Sequence, residues 1–312
     1  MRYAHISLFK RREKSCVHLG GVEKFGAYLQ RAIPSMTLYS WEDYATHVDV
    51  PDYEKAKMLN AWLLREGLVG NDTVVVCDGY WGMGLEGKVA RLISVVHGSY
   101  LGRLIQSQIY PWNEIVSKED TEAQLMFWDD LRVELVAVSK DTRHELYDTD
   151  RDDITVIPHG VDLTVYKPMH LDRDINMFAG TSARKGYDII VAMQNQDVEI
   201  EHMDEKSGSM EREAKRLNRA RVLIAPTRHE GNSYLLLESI ACGTPLLTYD
   251  VGYASQMDER CGIITDDLSA ANFLRLFDRV DWSQFNPREY AEQFCSFEQF
   301  EREWRNYLEV TD

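Results

Sequence analysis

Short apolar runs alternate with amphipathic, polar-rich runs along almost the whole of the 312-residue chain. In the first half YAHISLF precedes VEKFGAYLQRA, TVVVCDG precedes LEGKVARL, and ISVVHG, TEAQLMFWDDLR, LVAVS, KDTRHELY and DITVIP follow. The second half continues with INMFAG, KGYDIIVAMQ, VEIEHM, REAKRLNRA, VLIAP, a run opening at Tyr234, PLLTYD, GIIT and AANFLRLFDRV. The apolar runs are apolar along their length rather than at alternate positions, which predicts strands buried on both faces. The intervening runs carry helical spacing. Such alternation gives parallel sheets covered by helices on both sides. The expected fold class is therefore α/β, with two doubly wound parallel-sheet (Rossmann-like) domains facing a central cleft into which the strand C-termini open.

The turn-rich stretch PHGVDLTVYKPMHLDRD is the natural linker. It separates a first domain, residues 1–167, from a second, residues 168–289, and residues 290–312 form a C-terminal helical segment. The last of these belongs to PREYAEQFCSFEQFEREWRNYLEV, whose aromatic residues recur at roughly helical spacing with a break near Cys295-Ser296. It is expected to cross back and pack on the first domain.

Residues just after the strands are the ones to inspect. Gly20-Gly21 opens a helix after the first strand, where bare backbone can approach a ligand closely. His97 follows ISVV, and an imidazole at a strand terminus can bond a hydroxyl or phosphate and ordinarily titrates near neutrality. Arg184 and Lys185 stand at a loop-to-helix junction, where positive charge opposes the helix dipole and calls for an anionic partner. The stretch HEGNSYLLLES joins a strand (RVLIAP) to a helix, with Glu230 in the loop, Gly231, Asn232 and Ser233 at the helix start, and Glu238 more than a turn inside. A phosphate at that helix N-terminus has a carboxylate on either side, each able to accept bonds from neutral hydroxyls. A sugar nucleotide is a diphosphate flanked by hydroxyl-bearing rings.

Composition narrows the field. The longest apolar runs fall short of the roughly 20 residues that span a bilayer, and MRYAHISLFKRR lacks a signal-peptide core, so a soluble, cytoplasmic protein is expected. The 5 cysteines, Cys16, Cys77, Cys242, Cys261 and Cys295, are scattered without C-x-x-C or zinc spacing and read as reduced core thiols. A net charge of −16 disfavours tight binding to nucleic acid or anionic membrane through the bulk field. The first 40 residues nevertheless hold 7 basic residues against 2 acidic ones, including Lys10, Arg11, Arg12 and Lys14, which suggests a confined anionic contact.

The ordered set IPHGVDLTVYKP, FAG…KGYD and APTRHEGNSYLLLESIACGTPLLTYDVG resembles retaining glycosyltransferase family 4, enzymes of GT-B architecture with an E-x7-E motif. Gly20-Gly21-Val22-Glu23 and His97-Gly98 match that family's N-terminal landmarks. The resemblance implies that Glu230 lies beside the donor sugar and Glu238 holds the ribose hydroxyls. It also implies that the amides of Asn232 and Ser233 meet the donor, that Lys185 binds the diphosphate, and that His97 sits across the cleft. Thr181 stands where the family commonly has an arginine, and Arg184 is the substitute. The implied catalytic residues are Glu230, His97 and Lys185; donor contacts add Gly20, Gly21, Arg184, Gly231, Asn232, Ser233 and Glu238. Arg11, Arg12 and Lys14 fall on the acceptor side, in the N-terminal domain. No cofactor is implied, since the nucleotide-diphosphate sugar is a co-substrate, and no D-x-D cluster stands where a metal would be needed. The expected activity is metal-independent, front-face transfer of a hexose or pentose to an acceptor hydroxyl of a glycan or lipid-linked saccharide. Hydroxylated bases in DNA are the alternative acceptor, as in phage-type enzymes, and an anionic acceptor fits the basic stretch. An epimerase or phosphorylase, and a nucleotide-sugar-binding module without transferase activity, are the lower alternatives.

Overall fold

The structure is a computed structural model that describes residues 1–8, 20–45, 48–98, 101–104, 117–144, 146, 151–178, 180–203 and 209–310. Among these residues two sheets form, and all strand pairings in them are parallel. The first sheet has six strands in the order β2-β1-β3-β4-β5-β6: Met36–Ser40, Arg2–Ser7, Thr73–Asp78, Arg91–Val96, Val133–Ala137 and Thr155–Val156. The second has five in the order β11-β10-β9-β7-β8: Gly262–Thr265, Leu246–Tyr249, Ala220–Ala225, Ile175–Phe178 and Glu201–His202. Central strands are buried on both faces, as their uninterrupted apolar sequence requires; every residue of Thr73–Asp78 is buried.

Each sheet reverses its strand order once, between β1 and β3 in the first and between β7 and β9 in the second. Connections leaving neighbouring strands at such a point diverge to opposite faces, which opens a crevice at the strand C-termini. Gly20-Gly21 and Asp78 lie at the first crevice. The loops carrying Arg184-Lys185 and Glu230 lie at the second.

Three local readings are corrected or supplemented. LEGKVARL is not a helix: residues 86–90 form turns and the strand Arg91–Val96 follows. Gly84 and Gly87 adopt φ of +93° and +71°, so the backbone leaves the helical region twice before the strand. The strand Met36–Ser40 and the helix Asp52–Arg65 escape the alternation. That strand is at the sheet edge and only partly buried, so its sequence is not apolar throughout.

The chain's end returns to the first domain. Helix Pro287–Phe294 packs in the second domain through Tyr290 and Ala291, while helix Phe297–Tyr307 places Phe300 and Trp304 against Phe25 of helix Gly21–Ala32. At the crossing, Val161 and Cys295–Phe297 exchange backbone bonds of 2.8 and 3.0 Å. Cys77, Cys242, Cys261 and Cys295 are buried and unbridged. No helix of the described residues is long and apolar enough to cross a membrane.

Candidate functional site

Residues 227–233 run from the end of β9 to helix Tyr234–Ala241 and are fixed from both sides. On the second domain's own side, the buried Arg228 guanidinium makes two 2.7 Å bonds to Asp188, and its backbone N–H donates to Arg184 O at 2.8 Å. This ties the loop to the turn Ala183–Lys185 that follows β7. Gly186 ends the turn at φ +77°, and a Cβ there would stand 2.1 Å from Pro226 O, so only glycine lets the two loops meet. The result is a compact charge cluster. Lys185 Nζ donates to Glu230 Oε2, and Arg184 Nη1 lies 3.8 Å from the same oxygen. Burial pushes the Glu230 carboxyl up, but the two cations override it and hold the group at about 2.

On the other side the loop presses on the first sheet. A Cβ on Gly231 would stand 2.1 Å from His97 O, so this contact requires bare backbone. The buried Asn232 donates through Nδ2 to Val138 O (3.2 Å), and its carbonyl lies 3.0 Å from His159 Nδ1. Burial drives His159 down to about 3, so the ring is neutral and donates from Nδ1. Gly252 N donates to Asp141 at 2.5 Å.

His97 immediately follows β4, its ring edge-on to Phe25 at 4.8 Å. Its Nε2 lies 3.0 Å from Asp78 Oδ1, and His5 Nε2 approaches the same oxygen at 3.2 Å. Asp78 is buried, which raises its carboxyl, yet the two imidazoles hold it well below the usual carboxylate range. A carboxylate on Nε2 fixes the proton there and leaves Nδ1 as an acceptor. That atom is buried without a hydrogen bond among the described residues.

Glu238 lies a turn deeper and is fully buried. Its partner comes from the other domain: Lys24 Nζ contacts Glu238 Oε1 at 2.5 Å and Glu213 Oε2 at 3.3 Å. Burial raises Glu238 to about 7 against the pull of Lys24. Lys24 is itself held above its ordinary value by the two carboxylates despite its burial.

The structure thus gathers Glu230, Gly231, Asn232, Ser233, Arg184, Lys185 and His97 around one crevice. Gly20 caps helix Gly21–Ala32, and the Cβ position of Gly21 is 3.9 Å from the Tyr234 ring, so the glycine pair faces the start of the Glu238 helix. Ser233 caps that helix without a side-chain bond. Arg11, Arg12 and Lys14 lie outside the described residues. Sequence reasoning missed Asp78, His159 and the role of Lys24. Asp78 had a signal, a carboxylate closing an apolar strand at the cleft; Lys24 was visible only as one of a basic group. Among the described residues no group of three or more His, Cys, Asp and Glu side chains is arranged to hold a metal ion.

In three dimensions the chain is similar to glycosyltransferases of GT-B architecture. Sucrose-phosphate synthase from Thermosynechococcus elongatus is 14% identical and superposes with a TM-score of 0.74 over 99% of this chain and 98% of its own. HepE from Anabaena, in complex with UDP and glucose, is 11% identical with a TM-score of 0.72 and full coverage of both chains. WaaG, a glycosyltransferase involved in lipopolysaccharide biosynthesis, is 13% identical with a TM-score of 0.66 over 97% of this chain and 99% of its own. No protein-family model and no curated protein matches the chain. At such identities the likeness defines the fold: the chain has the GT-B architecture, two parallel-sheet α/β domains over a cleft.

Proposed function

We propose that the protein is a retaining glycosyltransferase that moves a sugar from a nucleotide-diphosphate sugar to a hydroxyl of a glycan or lipid-linked saccharide. One observation carries the reading: Glu230, Lys185 and Arg184 cluster where the second sheet's strand order reverses, against His97 of the opposite domain. The UDP and glucose bound by HepE, which has the same fold, support a nucleotide-sugar donor.

The donor's diphosphate takes the place between Lys185, Arg184 and the start of helix Tyr234–Ala241, where the amides of Asn232 and Ser233 face it. Glu230, kept ionised by its cations, stands beside the sugar and stabilises positive charge at the anomeric carbon. The bond from that carbon to the diphosphate oxygen breaks, and the acceptor oxygen bonds to the same face. The hydroxyl proton passes to the leaving diphosphate. His97 offers Nδ1 to a hydroxyl of the transferred sugar, and Glu238 accepts from the ribose hydroxyls. Because the two basic side chains and the helix N-terminus supply the positive charge, the reaction needs no metal.

Donor hydrolysis measured across a panel of nucleotide sugars tests this. The wild type is expected to hydrolyse at least one donor, equally well with EDTA. Glu230→Gln should lower kcat on the order of 100-fold, the scale set by loss of one preorganised electrostatic group. Near-wild-type turnover by the variant would refute the role of Glu230. Loss of activity on chelation, restored by magnesium or manganese, would refute metal independence.

A further inference from the structure

Helix Gly21–Ala32 belongs to the first domain, yet its Lys24 reaches the second domain's buried Glu238. The two oxygens of Glu238 are not equivalent. Oε1 takes the Lys24 ammonium at 2.5 Å, whereas Oε2 is buried with no hydrogen bond among the described residues. The nearby Tyr166 hydroxyl has one proton to give and gives it to Glu213 at 2.7 Å. A buried carboxylate oxygen left without a donor costs stability, and a ligand hydroxyl is what would satisfy it.

We propose that Lys24 is a positioning residue of the donor site: it holds Glu238 by Oε1 in its ionised form and leaves Oε2 to accept a ribose hydroxyl. The proposal rests on the nucleotide-sugar reading above and adds to it a residue from the opposite domain.

The groups that face Glu238 make the lysine necessary. Glu213, on helix Met210–Arg219, presents a second carboxylate to the same ammonium, and Tyr28, Tyr166, Tyr234 and Cys242 surround Glu238 without bringing a positive charge. Burial and Glu213 both favour the protonated acid; Lys24 is the cation in contact that opposes them. Protonation would convert one carboxylate oxygen from acceptor to donor, which a ribose hydroxyl pair reads differently. Without Lys24 the carboxyl titrates at higher pH, so at neutral pH the acceptor is lost. Without the charge of Glu213 it titrates at lower pH. The two substitutions therefore move nucleotide binding along the pH axis in opposite directions.

Calorimetric binding of UDP, GDP and ADP to the full chain from pH 6 to 9 measures this. The nucleotide that the wild type binds is then compared with its 2′,3′-dideoxy analogue. Lys24→Met is expected to weaken binding at pH 7 by roughly 10- to 100-fold, the range of a hydrogen bond to a charged group, and to recover affinity as pH rises. Lys24→Arg should retain most of the affinity, and Glu213→Gln should shift the profile to lower pH. The Lys24→Met defect should vanish for the dideoxy nucleotide, which has no hydroxyl for Oε2; a merely structural lysine would weaken both ligands alike. Unchanged affinity and pH profile in Lys24→Met, or equal losses for both nucleotides, would overturn the proposal. Tighter binding would overturn it too, by identifying the lysine as a competitor for the ribose site. Should Lys24→Met not fold, Glu213→Gln still decides, because a profile that stays in place contradicts the proposal. A wild type that binds none of the nucleotides would instead defeat the nucleotide-sugar reading itself.

Discussion

Glu230 and Glu238 stand eight residues apart on one strand-loop-helix unit, and their surroundings drive their acidities in opposite directions. Glu230 has two cations and falls from 4.5 to about 2; Glu238 shares one ammonium with a second carboxylate and rises to about 7. In the proposed reaction this divergence suits them to different work: a permanent negative charge beside the reacting carbon, and an acceptor whose state depends on its neighbours. It also gives stability opposite pH slopes. A carboxyl whose folded value is depressed contributes stability that is complete above its unfolded value and lost as pH falls through the folded one. For Glu230 that window runs from pH 4.5 down to about 2 and is worth on the order of 3 kcal/mol. Glu238 has the reverse sign: its contribution is complete below 4.5 and is lost as pH rises through about 7. Denaturant unfolding of the wild type and Glu230→Gln at pH 7, 4 and 2.5 should show the wild-type advantage shrinking as pH falls. An advantage independent of pH would mean that the Lys185–Glu230 pair does not hold the charge.

At the scale of elements, the terminal helix Phe297–Tyr307 links stability to the site. Trp304 is fully buried against Phe25, and Phe25 touches His97 and is next in sequence to Lys24. Trp304→Ala should cost about 3–5 kcal/mol by opening a large cavity. It should also raise the donor KM more than it lowers kcat, because the helix bearing Gly21 and Lys24 loses its backing. A destabilised variant with an unchanged KM would separate the two effects. This element was legible from its aromatic spacing and from the break at Cys295-Ser296, as were the strand-loop-helix placement of Glu230 and Glu238 and the loop position of Arg184-Lys185. Their partners were not. Glu230 meets Lys185 across 45 residues and Glu238 meets Lys24 across 214, and local periodicity carries no information about such pairings. The failed reading of LEGKVARL has a different origin: its helix formers are overruled by two glycines at positive φ and by a short connection between adjacent parallel strands.

The whole molecule carries a net charge of −16, so its bulk field repels anions while its cleft is expected to bind a diphosphate. An anionic acceptor would therefore need its own local positive charge. Of the seven basic residues in the first 40, three are engaged in ion pairs: Arg2 with Asp72, Lys24 with Glu238 and Arg31 with Asp162. The other four, Lys10, Arg11, Arg12 and Lys14, follow β1 in the sequence and lie outside the described residues. If they grip phosphates on the acceptor, replacing Arg11, Arg12 and Lys14 together by alanine should raise the acceptor's KM while leaving donor hydrolysis intact. Raising salt should mimic the substitution in the wild type and have less effect on the variant, because screening and counterion release act through the same contacts. Initial rates with neutral glycans, lipid-linked pyrophosphates and hydroxymethylated DNA, each at low and high salt, make the comparison. Preference for a pyrophosphate or for DNA that disappears in the triple variant would place acceptor recognition in this stretch. Equal use of a neutral glycan by both proteins, insensitive to salt, would assign the basic residues to solvation and return the acceptor to an uncharged saccharide.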